Sequence, residues 1–199
     1  DRFASTNTIP MPGNSLGVGD INRDGVPDLV AYDDQQGIKL ALGKGGGTFG
    51  DVSPKLPGSP TGPDDRSLRE CDLNSDGSLD LVYVEPFFSL APGSVGGRLG
   101  DGLGDFLPKT SFATGLFFPQ CVEIGDLDLD GQLDALVVVN SVSAALMGNG
   151  AGGFASPLSI SNLPGPFERI VVADFDNDGK LDVAGTIYWL SNVTVLLGN

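Results

Sequence analysis

Histidine is absent from the chain, and Lys and Arg together number only 11 against 26 Asp and Glu residues. The absence of histidine removes the commonest general base and the usual zinc and iron ligand of proteins. The formal charge of −15, without any basic patch, argues against nucleic acid and anionic membranes as partners. No apolar run approaches the roughly 20 residues that a membrane-spanning helix needs, so membrane insertion is not expected.

Cysteine occurs only twice, at Cys71 and Cys121, without the CxxC spacing of metal or redox motifs. Two interpretations stand at this point. We favour two small buried side chains that are not bonded to each other. The alternative is one disulfide formed in an oxidising compartment.

Helical periodicity is also missing, since apolar residues nowhere recur at i, i+3 and i+4 over several turns. The apolar runs are short and rich in Val, Leu and Ile, as in buried strands, and 30 Gly with 14 Pro indicate many turns. A length of 199 residues suffices for one domain with a substantial core. The composition therefore predicts an all-β domain.

One pattern, Asp-x-Asp/Asn-x-Asp-Gly-x-x-Asp, occurs four times and is called the Asp loop. Oxygen-bearing side chains at alternate positions, with Gly at the sixth, make a tight loop suited to a hard cation, and Ca²⁺ fits better than Mg²⁺. An EF-hand is disfavoured because the twelfth position is never Glu and the flanking residues are typical of strands. The copies are DINRDGVPD at 20–28, DLNSDGSLD at 72–80, DLDLDGQLD at 126–134 and DFDNDGKLD at 174–182.

A second motif, called the Gly turn, runs in phase with the first and reads LGKGGGTF at 42–49, LGDGLGDF at 99–106 and MGNGAGGF at 147–154. Each unit of about 50 residues then has a strand before the Asp loop, a strand after it and a third that enters the Gly turn. We predict that a fourth strand starts at the Phe, over residues 3–9, 49–56, 106–114 and 154–160. Four antiparallel strands at this period are typical of one propeller blade.

These phased motifs resemble the FG-GAP, or VCBS-type, repeats of integrin α-subunit propellers and of integrin-like propeller lectins, over essentially the whole chain. The resemblance implies an all-β β-propeller of four-stranded antiparallel blades. Residues 1–199 then form a single propeller domain or a propeller fragment. The four repeats span approximately 3–48, 49–105, 106–153 and 154–199.

Propellers of this family usually have seven blades, whereas this chain has material for four. The N-terminal strand at 3–9 is in the right phase to complete the C-terminal blade that contains Trp189, which is the velcro closure of propellers. Three arrangements stay open: four blades that close alone, part of a larger ring, or chains that associate. An unclosed propeller exposes apolar faces and strand edges, which favours self-association.

The resemblance also implies about four bound Ca²⁺ ions, one per repeat. The first, third, fifth and ninth loop residues supply side-chain oxygens, and the seventh supplies its backbone carbonyl. Loops one and two carry Asn at the third position, so we expect weaker binding there than in loops three and four. The predicted metal ligands are Asp20, Asn22, Asp24, Val26, Asp28, Asp72, Asn74, Asp76, Ser78, Asp80, Asp126, Asp128, Asp130, Gln132, Asp134, Asp174, Asp176, Asp178, Lys180 and Asp182.

Recognition in integrin-like propellers usually uses the face opposite the calcium loops. Aromatic residues that fall in the connections of that face can stack on sugar rings or anchor a protein partner. The competing interpretation is that these rings pack between blades. The candidates are Phe87, Phe88, Phe117, Phe118, Tyr188 and Trp189, with Phe167 as a further aromatic residue of these connections.

The sequence thus predicts a calcium-stabilised binding or adhesion module that is secreted or held at the cell surface. Its expected partner is a protein or a glycan, without nucleic acid or membrane insertion. One alternative is a purely structural region of a larger secreted protein. A polysaccharide-active enzyme is less favoured, because the acidic residues outside the loops form no motif with a nucleophile, and no catalytic residue is predicted.

Overall fold

The computed structural model describes residues 7–13, 15–33, 37–55, 67–85, 92–139, 142–160, 167–187 and 191–199. These residues form fifteen β-strands and no helix, which confirms the predicted all-β class. A helix with the length and apolar character of a membrane span is accordingly not found among them.

The strands make four antiparallel sheets that follow one another along the chain, called blades 1 to 4. Each blade is a meander in which consecutive strands pair. Blade 1 contains β1 (Ser15–Gly19), β2 (Asp28–Asp33), β3 (Gly37–Ala41) and β4 (Ser53–Pro54); blade 2 contains β5 (Leu68–Cys71), β6 (Asp80–Glu85), β7 (Ser94–Arg98) and β8 (Thr110–Ala113); blade 3 contains β9 (Cys121–Gly125), β10 (Asp134–Val139), β11 (Val142–Leu146) and β12 (Leu158–Ile160); blade 4 contains β13 (Phe167–Ala173), β14 (Asp182–Ile187) and β15 (Val193–Leu196).

The fourth strands are shorter than predicted and start later. Phe49, Phe106 and Phe154 each form a single bridge to the first Gly of the Gly turn, and the chain then leaves the sheet before the strand begins. In blades 2 and 3 a proline, Pro108 or Pro157, lies in this gap. Proline has no N–H to donate to a ladder, so the pairing is interrupted there.

The predicted closing strand at 3–9 is only partly within the described residues. Residues 1–6 lie outside them, and residues 7–9 are not in a strand. Within the described part of the chain, β15 pairs with β14 alone, so blade 4 has three strands where blades 1 to 3 have four. The predicted velcro pairing is therefore not observed.

The core consists of three apolar clusters, each between two consecutive blades. Val30 and Leu40 of blade 1 pack with Leu81 of blade 2, and Val137 of blade 3 packs with Val82 of blade 2. Blades 3 and 4 share a third cluster. Aromatic pairs reinforce the first two junctions: Tyr32 stacks on Tyr83 at 5.4 Å between ring centroids, and Phe112 meets Phe154 edge-on at 5.2 Å.

Both cysteines are unbonded, which confirms the favoured interpretation. Cys121 is buried in the cluster between blades 3 and 4, and Cys71 packs between blades 2 and 3. Burial, together with the charge of Asp80, raises the pKa of the Cys71 thiol to about 12. Since the thiolate is the reactive form, Cys71 is a packing residue and not a nucleophile.

Candidate functional site

The four Asp loops all lie at one edge of the blades. In every blade the loop joins the first strand to the second, which run in opposite directions, so the loop falls where the first strand ends. The Gly turns join the third and fourth strands at this same edge. The edge that carries both motifs is called the Asp edge.

Oxygen atoms converge at the first, third and fifth positions of the loops. In loop three, carboxylate oxygens of Asp126, Asp128 and Asp130 all lie within 4.8 Å of one another. Loop four repeats this cluster with Asp174, Asp176 and Asp178. Loops one and two have Asn at the third position, so an amide oxygen replaces one carboxylate there. Clustered, largely exposed oxygens of this kind are the ligands that Ca²⁺ takes in proteins.

Each loop is shaped by hydrogen bonds from its own backbone to its side chains. In loop three the carboxylate of Asp126 accepts the N–H groups of Asp130 and Gly131, at 3.0 and 2.9 Å. Asp130 in turn accepts the N–H of Gln132 at 2.8 Å. The other loops repeat this pattern. The loops are therefore ordered by their own side chains, with the oxygen cluster on the outside.

Backbone strain recurs at the fourth loop position, which sequence reasoning did not single out. Arg23, Ser75, Leu129 and Asn177 have φ between 58° and 63°, the left-handed region that L-residues rarely adopt. Among residues with a side chain, Asn adopts this region most readily. Of the four residues, only Asn177 therefore indicates a left-handed conformation by its type. The strain recurs at the same loop position although the four residues differ in type. The surrounding hydrogen bonds therefore impose the loop shape.

The ninth Asp of each loop has a structural task that the sequence did not reveal. Asp28, Asp80, Asp134 and Asp182 are at most 1% exposed. One carboxylate oxygen of each accepts the N–H of the second loop residue, and the other accepts the N–H of a Gly in or equivalent to the Gly turn. These carboxylates tie the Asp loop to the Gly turn. They are not part of the three-carboxylate clusters, and their assignment as metal ligands stays a prediction, as does that of the carbonyls at the seventh position.

The electrostatic environment of the ninth Asp in blades 2 and 3 differs from that in blade 4. Burial raises the pKa of Asp80 and of Asp134, against the opposing effect of their backbone N–H donors. For Asp182, in the terminal blade 4, the N–H of Gly198 lowers the pKa. Removal of water thus outweighs the N–H donors at Asp80 and Asp134, whereas the N–H of Gly198 outweighs it at Asp182.

One cation reaches from loop one to loop two. A side chain added at Gly77 would place its Cβ 2.9 Å from Nη2 of Arg23, so the guanidinium lies over the second loop. The pKa of Asp76 is lowered, mainly by the N–H of Ser78 and with a contribution from Arg23. The residues equivalent to Arg23 in the other loops, Ser75, Leu129 and Asn177, are uncharged.

The opposite edge of the blades carries the aromatic pair Phe117 and Phe118, in the connection from β8 to β9. β9 runs from this connection to Asp loop three, so the two features are about 15 Å apart along the strand. The rings are 50% and 53% exposed. Phe118 has φ 58°, which is costly for a bulky side chain.

This connection, residues 114–120, is held by hydrogen bonds and is called the Phe loop. The N–H of Gly93 donates to the carbonyl of Leu116 at 2.8 Å, and the hydroxyl of Thr114 donates to the carbonyl of Gly93 at 2.8 Å. Its far end is fixed by the bond from Gln120 N–H to the carbonyl of Val138, at 3.0 Å. Leu116 of this loop is buried in the cluster between blades 2 and 3. The rings of Phe117 and Phe118 are therefore displayed from a defined backbone.

The other aromatic candidates have different outcomes. Phe167 is 1% exposed and belongs to the cluster between blades 3 and 4, so its assignment to a ligand surface is wrong. Its ring packs over Gly185, where any side chain would collide with it. Phe87, Phe88, Tyr188 and Trp189 lie outside the described residues.

Three of the acidic residues outside the Asp loops form hydrogen bonds within the fold. Glu70 accepts the N–H of Val18 in blade 1 at 2.9 Å. Glu123 forms a two-pronged ion pair with Arg69, and this carboxylate raises the pKa of Arg69. Glu85 accepts hydrogen bonds from Lys109 at 2.6 Å and from Ser111 at 2.9 Å.

Comparison with known proteins identifies a repeat family and a fold. Residues 20–83 and 72–137, together more than half of the chain, match the FG-GAP-like repeat. No curated protein matches the chain. Among solved structures, an Agrocybe aegerita lectin described as recognising non-reducing terminal N-acetylglucosamine has a TM-score of 0.67 at 21% identity, over 92% of this chain and 49% of the lectin.

A second solved structure is the Tc holotoxin pore of Photorhabdus luminescens. It has a TM-score of 0.60 at 20% identity, over 92% of this chain and 9% of that chain. This chain thus spans about half the length of the lectin and about a tenth of the toxin chain. At these identities the similarity shows a shared arrangement of blades.

Proposed function

Because this chain belongs to the FG-GAP-like repeat family and folds into propeller-type blades, we propose that it is a calcium-stabilised extracellular binding module. In this proposal the Asp loops hold Ca²⁺ at the Asp edge, and the opposite edge recognises a glycan. One observation carries the proposal. Exposed oxygen clusters and an exposed aromatic pair on a hydrogen-bonded loop occupy opposite ends of the same short strand, β9.

The proposal of Ca²⁺ is supported by the chemistry of the clusters. All side-chain donors in the loops are oxygens, which suits a hard cation and not Zn²⁺. Three carboxylates within 4.8 Å repel one another unless a cation lies among them. Exposed loops of this kind fit the weak Ca²⁺ affinities of extracellular modules, with dissociation constants of about 10⁻⁴ to 10⁻³ M. The proposal accordingly places the chain outside the cell, where modules of that affinity class occur.

Thermal unfolding in Ca²⁺ and in EDTA tests the metal part. A ligand that binds only the folded state at about 100 times its dissociation constant stabilises it by about 2.7 kcal/mol per site. We therefore expect a higher melting temperature in 10 mM Ca²⁺. The double variant Asp128→Ala/Asp176→Ala, which removes the third-position oxygen from loops three and four, should lose the part of this shift that those two loops supply. The control Asp101→Ala removes an exposed carboxylate of the Asp edge outside the loops and should keep the shift. Equal melting with and without Ca²⁺ would contradict calcium binding.

The choice of a glycan rests on the Phe loop. Exposed aromatic rings stack on the apolar C–H faces of sugars, and a fixed backbone reduces the entropy that binding costs. The rings of Phe117 and Phe118 meet both conditions. The lectin whose blades superimpose on this chain recognises non-reducing terminal N-acetylglucosamine. We carry over the ligand class from that comparison and not the individual sugar.

A glycan array that includes terminal N-acetylglucosamine tests the recognition part. We expect binding by the native chain and its loss in Phe117→Ala/Phe118→Ala. The matched control is Leu103→Ala, which removes an apolar side chain that is 81% exposed at the Asp edge. Binding that survives loss of both rings would refute this assignment, with the calcium proposal unaffected.

The second candidate is a protein partner at the same edge, since exposed aromatic rings also anchor protein interfaces. It is favoured if the array shows no binding and an affinity pull-down gives a partner that the double Phe variant does not retain. A purely structural repeat region is the outcome if neither experiment finds a ligand. We do not propose catalysis, because Glu70, Glu85 and Glu123 are already paired within the fold.

A further inference from the structure

Loops three and four present the same carboxylates but differ in the charge beside them. They carry Asp at the first, third, fifth and ninth positions, and in each loop oxygens of the first three lie within 4.8 Å of one another. The two loops differ in sequence at three positions, and only the seventh, Gln132 in loop three and Lys180 in loop four, changes the charge. They are therefore a matched pair for the effect of one positive charge on an oxygen cluster.

The seventh side chain of each loop contacts the same atom of the fifth residue. Nζ of Lys180 lies 3.3 Å from Oδ2 of Asp178. In loop three, Nε2 of Gln132 donates to Oδ2 of Asp130 at 3.1 Å. In both loops the other oxygen, Oδ1, accepts the backbone N–H of the seventh residue. Oδ2 is therefore the oxygen of the fifth Asp that is left for a cation, and in loop four an ammonium group already lies beside it.

In loop four the ammonium group offsets part of the repulsion within the oxygen cluster. Carboxylates that lie this close together repel one another, and a positive charge in contact with one of them lowers the energy of all three. The side chains of Lys180 and Asp178 are 43% and 36% exposed. The contact is thus a surface ion pair, whose strength is modest and depends on salt.

In loop three the neutral amide of Gln132 does not supply this charge. Its Oε1 atom is buried and has no hydrogen-bond partner among the described residues. The atom lies against the Gly turn of blade 3, where a Cβ added at Gly150 would be 2.7 Å from it. A buried acceptor without a donor is destabilising. Without a cation, loop three is therefore the less favourable of the two loops.

The contact of Lys180 belongs to the loop itself, since Lys180 and Asp178 are two residues apart within it. In loop three the equivalent contact between Gln132 and Asp130 forms beside a complete Gly turn, residues 147–154. A Gly turn beside loop four is thus compatible with the contact of Lys180.

We propose that Lys180 is a tethered counter-ion of loop four, which competes with Ca²⁺ for the carboxylate of Asp178. This inference rests on the proposed function, since it takes the loops to be Ca²⁺ sites. A cation that binds Oδ2 of Asp178 must displace the ammonium group, whereas in loop three it displaces only an amide. Loop three therefore fills at a lower Ca²⁺ concentration than loop four, and loop four depends less on Ca²⁺ for its shape.

A Ca²⁺ titration followed by NMR measures the two loops separately in one molecule. The reporters are the amide signals of Gly131 and Gly179, whose N–H groups donate to the first Asp of their own loops. In the native chain we expect Gly131 to respond at a lower Ca²⁺ concentration than Gly179. Lys180→Gln, which gives loop four the seventh residue of loop three, should shift the response of Gly179 to a concentration about threefold to tenfold lower at low salt. Gln132→Lys should shift the response of Gly131 by a similar factor in the opposite direction.

Thermal melting in EDTA gives a second readout, which a merely structural role would not produce. Lys180→Gln should lower the melting temperature by about 1–3 °C without Ca²⁺, because the carboxylates lose their counter-ion. The same variant should bind Ca²⁺ more tightly, so stability without Ca²⁺ and affinity for Ca²⁺ change in opposite directions. Lys180→Arg keeps the charge and should keep both native values.

The proposal is overturned if Lys180→Gln leaves the response of Gly179 unchanged, or if it lowers stability in EDTA and weakens Ca²⁺ binding together, as a packing defect would. It is equally overturned if Lys180→Arg behaves like Lys180→Gln, since the charge would then be irrelevant. Failure of the calcium proposal gives a different result, because neither glycine signal would then respond to Ca²⁺ in the native chain. A response of both glycines that Lys180→Gln does not alter refutes this inference alone.

Discussion

The carboxylate of Asp28 accepts the N–H of Gly43 at 2.7 Å, which fastens the Asp loop of blade 1 to its Gly turn. The second oxygen of Asp28 accepts the N–H of Ile21 at 2.9 Å. Asp28 thus fixes the positions of both Ile21 and Gly43. The carbonyl of Pro27 lies so close to Gly43 that any side chain at position 43 would collide with it. The regular spacing of the Asp loop and the Gly turn in the sequence thus corresponds to a hydrogen bond between them. An equivalent bond recurs in every blade.

Asp28→Asn should destabilise the fold by about 1–3 kcal/mol, because an amide has one acceptor oxygen and leaves a buried N–H unpaired. Chemical unfolding in EDTA measures this without any contribution from metal. The matched control is Asp101→Asn. Asp101 also accepts two backbone N–H groups, from Leu103 and Asp105, but it is exposed, so water replaces the lost bond. Equal losses in the two variants would show that burial of Asp28 is irrelevant.

Arg69→Met should lower the free energy of unfolding by about 2 kcal/mol, since the Glu123 side chain is only 10% exposed and would be left without its cation. This loss of free energy of unfolding is smaller than that expected for a fully buried ion pair, because the Arg69 side chain is one-third exposed. The double variant Arg69→Met/Glu123→Leu should recover most of the loss. A double variant that is less stable than Arg69→Met would show that the charges themselves stabilise this junction of blades 2 and 3.

Arg23→Ala should strengthen Ca²⁺ binding to loop two by about threefold to tenfold at low salt, because it removes a positive charge beside the proposed ion. Calcium titration by calorimetry measures the change, and Arg23→Lys is the charge-preserving control. In a background with Asp72→Asn, which disables loop two, the effect of Arg23→Ala should vanish. Persistence of the effect in that background would assign it to another loop.

Phe118→Gly should raise stability by about 1 kcal/mol, because glycine adopts φ 58° without the steric cost that phenylalanine has there. The same variant should lose glycan binding, so stability and recognition change in opposite directions. Phe112→Ala is the contrasting control, since Phe112 packs edge-on against Phe154 in the core and its loss should destabilise. A less stable Phe118→Gly chain would indicate that the ring contributes packing.

The prediction of strands from the sequence was correct where residues close together along the chain decide the structure. A strand precedes and a strand follows each of the four Asp loops, as predicted. The fourth strands were predicted too long, because a start signal at Phe49, Phe106 or Phe154 does not show that the next residues leave the sheet. In blades 2 and 3 the proline after the Phe, Pro108 or Pro157, interrupts the pairing, and this was the sequence signal for a later start of the strand.

Some features of the candidate sites are likewise visible in the local sequence, whereas others depend on packing. The clusters of loops three and four follow from their third-position Asp128 and Asp176, which the motif shows directly. Phe117 and Phe167 were equivalent in sequence terms, as aromatic residues of connecting segments, yet one ring is half exposed and the other is in the core. Phe167 lies over Gly185 and within the cluster between blades 3 and 4, and neither contact is visible in the local sequence.

The sequence by itself determined the all-β class, the repeat of about 50 residues and the oxygen-rich loops, because each depends on spacing within a few residues. The tertiary structure decided which of these residues are buried and what they contact. Asp28 accepts a hydrogen bond from the Gly turn, and the guanidinium of Arg23 lies over the neighbouring loop. Leu16 is exposed, whereas Leu68, the residue equivalent to it in blade 2, is buried. The contact of Asp28 depends on a turn of the same blade, 15 residues away. The outcomes for Arg23 and Leu16 depend on which blade lies alongside, and a repeated motif has the same sequence whether or not a neighbouring blade is present.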